Sequence, residues 1–563
     1  MSNSLVARVV LVGFEDQENL GLRYIAARLK QAGHRVRIVA LSGGLEQLLG
    51  IICQEKPHVV GFSLIFQYMA GEFARLMGDL RSAGVTAHFT IGGHYCAFEH
   101  TRLLEAIPPL DSVVRFEGED TLLELAEKVA GAGPWRQVAG IAFRNENDIA
   151  VSTFRPGRKD LDSLQWPDRS DIDYEGQKLP TASVLASRGC VRNCSFCSIA
   201  AFYKGNGTAG VRRRETNKVA DELEYLFRDR GVRLILWQDD DFFSGGRAGF
   251  EWTRRLAREI IMRGLHQHLR WKISCRSDEV SIDALGPLKE AGLAHVYLGV
   301  EAGDPDDLRD MDKHLHPDAH FKAKEVLLQL GLSFDFGFML LNPWSDLKRI
   351  RNNLKFLKDF VGDGSAPAGF CRMLPYAGTS VERRLTAAGR LRRNGFDVDY
   401  DFMEPRVDNY FRWLLETFSD RHYSPNGTLA ILRILVLQSH LNFPDMPTDP
   451  FFRDAIHAMT SVSNQITIDV ADQAAEYLAK GPEGDANDPV LGMLRDQHTA
   501  HDRHIRYDLA ALLSRRPEVL ARMTFALDHR KVDTGMISCL ADADSGNKAV
   551  VCPKAMPGNI TPM

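Results

Sequence analysis

Short apolar runs alternate with amphipathic segments through the first two-thirds of the chain. Near the N-terminus the runs at 7–14, 35–41, 58–66, 87–92 and 112–116 predict strands, and the apolar spacing at 20–32 and 71–83 predicts helices. Strands that alternate with helices form a parallel, doubly wound sheet, whose ligand lies beyond the carboxyl ends of the strands. We therefore predict an α/β fold with a Rossmann-like N-terminal domain.

The alternation of strands and helices resumes at residue 181. Six strands are predicted at 182–187, 233–238, 270–275, 295–299, 333–341 and 369–374, with helices at 218–228, 250–263, 283–291, 321–330 and 346–361. Six β/α units are too few for a closed eightfold barrel and suit an open, partial (β/α)6 barrel, with ligands again at the carboxyl ends of the strands.

Beyond residue 384 the strand pattern stops, and amphipathic helices are predicted at 407–418, 427–440, 451–460, 466–478 and 505–513. This predicts five regions: an α/β domain (1–130), a linker with a small hairpin (131–180), the partial barrel (181–385), a helical domain (386–541) and a flexible tail (542–563). The helical domain could close over the barrel mouth and shape a substrate pocket, or it could be a docking surface for a partner.

The composition narrows the class of protein. Of the 563 residues 44% are hydrophobic and 25% are charged, and nine are cysteines, too few for a disulfide framework. The net charge of -5 gives no basic field for nucleic acid. No run is apolar and long enough to span a bilayer, and the N-terminus has no signal-peptide pattern. We expect a cytoplasmic protein without direct nucleic-acid contact.

Three of the cysteines, Cys190, Cys194 and Cys197, fall within eight positions behind a predicted strand. Thiolates are the ligands of iron-sulfur clusters, which usually take four cysteines, so a set of three leaves one iron open to a small molecule. A structural zinc site would need a fourth ligand at finger spacing, which is missing. Three inert, buried cysteines are the simplest alternative, but the polar residues around them disfavour it.

The three-cysteine loop after the first barrel strand resembles that of the radical S-adenosylmethionine (SAM) enzymes. The resemblance implies a [4Fe-4S] cluster on the three cysteines, with the open iron bound to SAM, whose cleavage yields a 5′-deoxyadenosyl radical. It also implies an electron donor such as flavodoxin or ferredoxin. The positions that match the SAM-binding strand ends are Phe196 (adenine), Asp239 and Asp240 (methionyl ammonium), Arg276 (methionyl carboxylate) and Glu301.

The N-terminal region resembles a cobalamin-binding domain. The family's loop Asp-x-His-x-x-Gly corresponds here to Asp16, Glu18 and Gly21, so a glutamate stands where the cobalt-ligating histidine would be. Ser63 matches the serine of the nucleotide-tail channel, and Gly92 and Gly93 match the Gly-Gly pair that lets the tail pass the backbone. A generic nucleotide-binding or response-regulator-like domain remains the alternative.

The residues that follow the glycine pair, His94 and Cys96, are expected to be structural.

Together these resemblances imply a cobalamin-dependent radical SAM methyltransferase that acts on an unactivated carbon of a small metabolite or a peptide. Two alternatives stay open. One is a radical SAM enzyme whose cobalamin serves cyclisation, ring contraction or another redox rearrangement; the other is a non-catalytic sensor or scaffold that binds the same cofactors. The substrate and the oligomeric state are left open by the sequence.

Overall fold

The computed structural model describes residues 6–15, 17–146, 148–481 and 488–519. Asp16 of the predicted cobalamin loop and the predicted tail at 542–563 lie outside these residues. Within them, no helix is both long and apolar enough to cross a membrane.

The described residues form seventeen strands, in the following order along the chain. They are β1 (Arg8–Gly13), β2 (Arg35–Ala40), β3 (Val59–Ser63), β4 (His88–Gly92), β5 (Ser112–Val114), β6 (Ile141–Asn145), β7 (Asp148–Val151), β8 (Thr181–Val184), β9 (Ser187–Arg188), β10 (Arg212–Arg213), β11 (Leu234–Trp237), β12 (Arg270–Arg276), β13 (Leu293–Glu301), β14 (Ser333–Leu341), β15 (Cys371–Arg372), β16 (Leu391–Asn394) and β17 (Asp397–Tyr400).

Seventeen α-helices connect and cover these strands. They are α1 (Leu20–Gln31), α2 (Gly44–Glu55), α3 (Ala70–Ser82), α4 (His94–Ala106), α5 (Glu119–Ala130), α6 (Ile199–Gly205), α7 (Thr216–Arg228), α8 (Arg247–Met262), α9 (Ile282–Glu290), α10 (Pro305–Asp310), α11 (Asp318–Gln329), α12 (Leu347–Val361), α13 (Ser380–Ala387), α14 (Pro405–Tyr423), α15 (Thr428–Gln438), α16 (Pro450–Lys480) and α17 (Pro489–Ser514).

The N-terminal domain is built on a seven-stranded sheet in the order β2-β1-β3-β4-β5-β6-β7. The first five strands are parallel, as predicted, and the chain reverses its direction across the sheet between β1 and β3, where ligands bind in such folds. The register aligns Gly13, Ser63 and Gly92 on three neighbouring strands at their carboxyl ends. Two predicted cobalamin positions are thus neighbours at one edge of the sheet.

The hairpin predicted within the linker exists as β6 and β7, but it extends the N-terminal sheet instead of standing apart. β6 pairs antiparallel with β5, and β7 pairs with β6. Burial explains this placement, because Ile141 and Ala142 are fully buried in the N-terminal core.

The second sheet has six parallel strands in the order β15-β14-β13-β12-β11-β8, which confirms the open half-barrel. Its helices pack on the outer face around a continuous apolar core. The bulge at Gly299 and Glu301 shifts the register between β13 and β14. A bulge at the end of a strand re-aims the side chain that follows it, here Glu301.

The C-terminal region is mostly helical, as predicted, with two differences. The helices predicted at 451–460 and 466–478 are one helix, α16, and a hairpin, β16–β17, precedes the first helix. α16 packs along the barrel helix α12, with ion pairs from Arg351 to Asp472 (2.8 Å) and from Lys358 to Asp469 (2.7 Å). Side chains of α14 pack beside β15, so this region covers the free edge of the barrel sheet.

Candidate active site

The cysteine loop begins where β9 ends, at the carboxyl edge of the barrel sheet. Gly189 has a φ of +96°, and a Cβ there would meet the carbonyl oxygen of Gly210 at 2.1 Å, so only glycine fits. Ser195 fastens the middle of the loop to the segment after β13: its amide donates to Met311 O (2.9 Å) and its hydroxyl to Asp310 O (2.8 Å). The loop therefore holds its shape through backbone contacts with the rest of the barrel.

Two of the predicted SAM ligands hold this loop. Asp239 accepts hydrogen bonds from the Ala186 amide (3.2 Å) and the Ser187 hydroxyl (2.5 Å), one on each carboxylate oxygen. Asp240 accepts from the Gly189 amide (2.8 Å) and exposes its side chain to the cavity between the two domains. Both residues lie at the carboxyl end of β11, so the acidic run sets the position of the cysteine loop directly.

Asp241, the third acid of this run, differs from its neighbours. Its side chain is buried, its Oδ1 has no hydrogen-bond partner, and its Oδ2 lies 3.8 Å from Cys190 Sγ. Glu279 is its neighbour, and burial together with the Asp241 carboxylate raises the pKa of Glu279 to about 8. Glu279 is therefore protonated at neutral pH, and its carboxyl group can donate a hydrogen bond to Asp241 beside the cysteine loop.

The three thiols are free and partly buried, and burial raises the pKa of Cys190 to about 11 and of Cys197 to about 12. Burial also raises the pKa of Cys194. A bound metal deprotonates such thiols outright. Among the described residues no three Cys, His, Asp or Glu side chains converge on one metal ion.

Arg276 and Glu301 face the cysteine loop from the next two strands, but each already has a partner. Arg276 donates two hydrogen bonds to Asp278 (2.9 and 3.1 Å), and Lys313 donates to Glu301 (3.2 Å). Glu301 has a φ of +69°, which is uncommon for a residue with a side chain. Such strain concentrates at functional sites.

Of these groups Lys313 was not predicted, because it follows the strand by twelve residues in an irregular segment. Its charge, with that of Arg276, partly offsets the effect of burial on the pKa of Cys194. Phe196, which lies within the cysteine loop, is half-buried and packs against the barrel core, and its contact with the adenine of SAM stays a prediction.

A cavity of about 280 Å³ lies between the N-terminal domain and the barrel. It opens at the carboxyl ends of β1, β3 and β4, and its lining includes the predicted residues Gly21, Ser63, Gly92 and Gly93. Asp240 lines it from the barrel side. The cavity therefore joins the edge of the first sheet to the cysteine loop.

Two of the glycines that line this cavity permit close packing within the N-terminal domain. A Cβ at Gly93 (φ +124°) would meet Leu64 O at 2.2 Å, and one at Gly61 would meet a Leu11 methyl group at 3.0 Å. The Ser63 hydroxyl accepts a hydrogen bond from Asn19 (3.3 Å) at the start of α1.

Glu18 does not line this cavity. Its carboxylate pairs with the buried Arg169 (2.9 Å) and accepts a hydrogen bond from the Tyr174 hydroxyl. Arg169 also pairs with Glu222 on α7 (2.9 Å). Glu18 thus joins the loop after β1 to the connecting segment and the barrel, and its carboxylate is not directed at a ligand in the cavity.

A second buried ion-pair cluster joins the two domains beside the cysteine loop. Arg188, two residues before Cys190, pairs with Glu117 (3.0 Å) and Glu119 (2.7 Å) at the end of β5. Arg212 pairs with Glu117 as well (2.6 Å). The cysteine loop is therefore held to the N-terminal sheet by charged contacts that water does not screen.

Comparison with known proteins identifies both domains. Residues 8–126 match the B12 binding domain family, and residues 184–354 match the radical SAM superfamily. The chain is a cobalamin-binding radical SAM enzyme. Its cofactors are accordingly a [4Fe-4S] cluster, SAM and cobalamin, as the sequence predicts.

Relatives of this radical SAM enzyme include methylases and cyclases. It is 28% identical to the hopanoid C-3 methylase of Methylococcus capsulatus over 76% of this chain and 82% of the relative. It is 29% identical to the anaerobic magnesium-protoporphyrin IX monomethyl ester cyclase of Cereibacter sphaeroides, over 50% of this chain and only 46% of the cyclase.

Among solved structures, the cobalamin-dependent SAM radical enzyme OxsB with aqua-cobalamin and SAM bound superposes with a TM-score of 0.67. The match covers 95% of this chain and 84% of OxsB at 15% identity. It supports the whole three-part fold of this radical SAM enzyme, the helical C-terminus included.

The residues of the enzyme fit these cofactors. Three free thiols on one loop are the donor set of a cluster with an open iron. The carboxylates of Asp240 and Asp241 beside them suit the ammonium group of SAM, and the cavity at the carboxyl ends of β1, β3 and β4 suits the nucleotide tail of cobalamin. No described residue at the position of the family's cobalt-ligating histidine points into the cavity, because Glu18 is engaged elsewhere.

Inside the half-barrel, past Glu301, lies a group of side chains that the sequence did not single out and that we call the chamber cluster. Its members are Tyr297, Cys371, Tyr376 and Tyr423. A Cβ on Gly337 would meet the Tyr297 hydroxyl at 2.8 Å and Glu301 Oε2 at 3.3 Å, so the glycine keeps this space open.

The chamber cluster is partly exposed although it lies deep in the fold. Burial raises the pKa of Cys371 to about 12 and raises the pKa of all three tyrosines. These groups are therefore neutral thiols and phenols at physiological pH.

Proposed function

We propose that this enzyme transfers a methyl group to an unactivated carbon of an uncharged small molecule or peptide side chain. The observation that carries the proposal is that one residue belongs to both cofactor sites. Asp240 lines the cavity of the B12 binding domain and holds the Gly189 amide, next to Cys190. Cofactors bound on the two sides of this residue lie next to each other, which is the arrangement that methyl transfer needs.

When bound, the cluster and SAM supply a hydrogen-abstracting 5′-deoxyadenosyl radical, and cobalamin supplies the methyl group. The chain's own residues position these groups. We assign the methionyl ammonium to Asp241 and Asp240, the methionyl carboxylate to Arg276, and the adenine to Phe196. We assign Asp239 the role of positioning the cysteine loop and not of binding SAM, because both of its carboxylate oxygens already accept hydrogen bonds there.

The chamber cluster supports an uncharged substrate. The carboxylates that face this space in the described chain have cationic partners: Glu301 pairs with Lys313 (3.2 Å) and Asp335 with Arg433 (2.8 Å). Below them, burial lowers the pKa of Lys272 to about 8. Neutral hydroxyl and thiol groups bind hydroxyl, carbonyl and apolar groups, and burying an ionic group among them would be costly.

The C-terminal helices support the same proposal, because they complete the chamber. Tyr423 ends α14, and Arg433 of α15 reaches Asp335 on β14. We therefore favour pocket formation over partner docking as the role of this region. We assign the reducing electron to a flavodoxin or ferredoxin. The cysteine usage favours a cytoplasmic setting, and the net charge of -5 argues against direct nucleic-acid contact.

The test uses methyl-labelled SAM and the anaerobically reconstituted full chain. Cell metabolites are passed over cation and anion exchangers, which retain the charged metabolites and let the uncharged ones through. Each fraction is then incubated with the enzyme and a reductant. We expect labelled product in the unretained fraction. Product without label would instead indicate cyclisation or rearrangement, in line with the cyclase relative. Failure to form 5′-deoxyadenosine in any fraction would indicate a non-catalytic cofactor-binding protein.

A further inference from the structure

His94 begins α4 immediately after the Gly92-Gly93 pair and lines the cavity of the B12 binding domain. The sequence predicts a structural histidine with its hydrogen bonds satisfied. The structure differs: Nε2 is buried and has no hydrogen-bond partner. A buried polar atom without a partner is rare in folded proteins and calls for a ligand or an ordered water.

The surroundings of His94 are aromatic. Its ring lies 4.2 Å from the ring of Phe202, which contacts Phe116 in turn (5.4 Å between centroids). These three rings bring together the start of α4, the end of β5 and the helix α6 that follows the cysteine loop. The wall of the cavity at this point is therefore formed by both domains.

The charge state of His94 and of its neighbours determines which kind of ligand group the imidazole can contact. Burial lowers the pKa of His94 to about 4, so the imidazole is neutral, and the nearest charged group that acts on it is the Glu117 carboxylate. Glu117 is itself paired with Arg188 and Arg212, so the neutral His94 ring is set in an aromatic wall beside a compensated charge. The neutral imidazole suits an uncharged acceptor on an aromatic ring or a sugar.

We infer that His94 donates a hydrogen bond to an uncharged acceptor, a base nitrogen or a ribose hydroxyl, on the nucleotide tail of cobalamin. This inference rests on the proposed use of cobalamin and adds a residue that selects a complete corrinoid over one without its tail. The rings of Phe202 and Phe116 form the apolar wall beside the base. His94 contributes the polar contact in an otherwise apolar stretch.

The experiment compares two corrinoids on the full chain, purified without cobalamin. Cobalamin carries the nucleotide tail and cobinamide lacks it, and both are titrated by equilibrium dialysis with visible absorbance as the readout. We expect the wild-type chain to bind cobalamin at least about tenfold more tightly than cobinamide. We expect H94F, which keeps the ring stacking, to lose about tenfold in cobalamin affinity and to leave cobinamide affinity within about twofold, as for one lost hydrogen bond.

Tyr95 supplies a matched control. It is the next residue on α4, its hydroxyl is also buried without a partner, and it does not line the cavity. Y95F should bind both corrinoids as the wild type does. H94Q, which retains a polar group, provides a second variant should H94F fold poorly, and it should lose less cobalamin affinity than H94F.

Each other outcome overturns a specific statement. Equal wild-type affinity for cobalamin and cobinamide excludes any tail contact and overturns the inference about His94. Equal losses for both corrinoids in H94F and H94Q make His94 a structural residue. If the wild type binds neither corrinoid while it still assembles its iron-sulfur cluster, the proposed cobalamin chemistry fails, and not the His94 contact alone.

Discussion

Replacing Glu18 by glutamine separates two roles for the residue that stands where the family's cobalt-ligating histidine would be. In the structure its carboxylate accepts from Arg169 Nε at 2.9 Å and from the Tyr174 hydroxyl, and its side chain is 9% exposed. If it is an anchor, E18Q weakens the folded state and leaves cobalt untouched. If it is a cobalt ligand, E18Q alters the cobalt spectrum and leaves the stability of the folded state unchanged.

The magnitude follows from these contacts. Glutamine keeps one acceptor oxygen but loses the charge that pairs with Arg169, which remains paired with Glu222 (2.9 Å). A hydrogen bond to a charged group contributes about 1.5–3 kcal/mol, so E18Q should lower the free energy of unfolding by about 2 kcal/mol. For a cooperative unit of about 150–250 residues, this is a fall of roughly 4–8 °C in Tm.

The assay pairs differential scanning calorimetry with the visible spectrum of bound cobalamin. We expect the lower Tm for E18Q, together with an unchanged cobalt spectrum and a cobalamin Kd within about twofold of wild type. Y174F is the matched control, because it removes one hydrogen bond to the same carboxylate and should cost about 1 kcal/mol. A shifted cobalt spectrum or a tenfold weaker Kd for E18Q, at unchanged stability, would refute the anchor role.

Three further outcomes are expected elsewhere in the chain. C194A should abolish the charge-transfer absorbance of a four-iron cluster; a normal cluster signal would break the ligand assignment. D239N should reduce the iron retained after gel filtration more than S187A does, because an amide can satisfy only one of the two donors that Asp239 now accepts from. Burial lowers the pKa of His498 to about 4 from its usual 6.5, so the unfolded chain binds the proton first and stability falls as pH drops from 6.5 to 4, by up to about 3 kcal/mol. H498F should flatten the pH dependence of the unfolding free energy in that window, and an unchanged slope would contradict the assignment.

The architecture was predictable because strand and helix periodicities are local properties of the sequence. Five apolar runs in the first domain and six in the second are each long enough to be buried, and each lies close to a strand of the structure. The union of two predicted helices in α16 was not predictable, since the polar residues between them contact the end of the barrel helix α12 and still support a helix: Ser461 donates to Gly362 O and Asn464 to Val361 O.

The grouping of the three cysteines on one loop was predictable from their spacing, but the contacts of the neighbouring acids were not. Asp239, Asp240 and Asp241 are consecutive, so their side chains take different directions at the end of β11, and only the fold decides which of them meets the cysteine loop. Glu18 shows more clearly which contacts the sequence alone does not reveal. Its partner Arg169 is 151 residues away, in a connecting segment whose sequence carries no periodic signal.

The position of Arg188 explains why the two cofactor sites form one active site. It lies two residues before Cys190 and pairs with Glu117 and Glu119 at the carboxyl edge of the first sheet, while Asp240 holds the intervening Gly189 amide from the barrel. A displacement of the N-terminal domain would therefore also displace the cysteine loop. Since radical and methyl-donor chemistry must meet at one substrate carbon, a rigid ion-paired joint at this point fixes the distance that the reaction depends on.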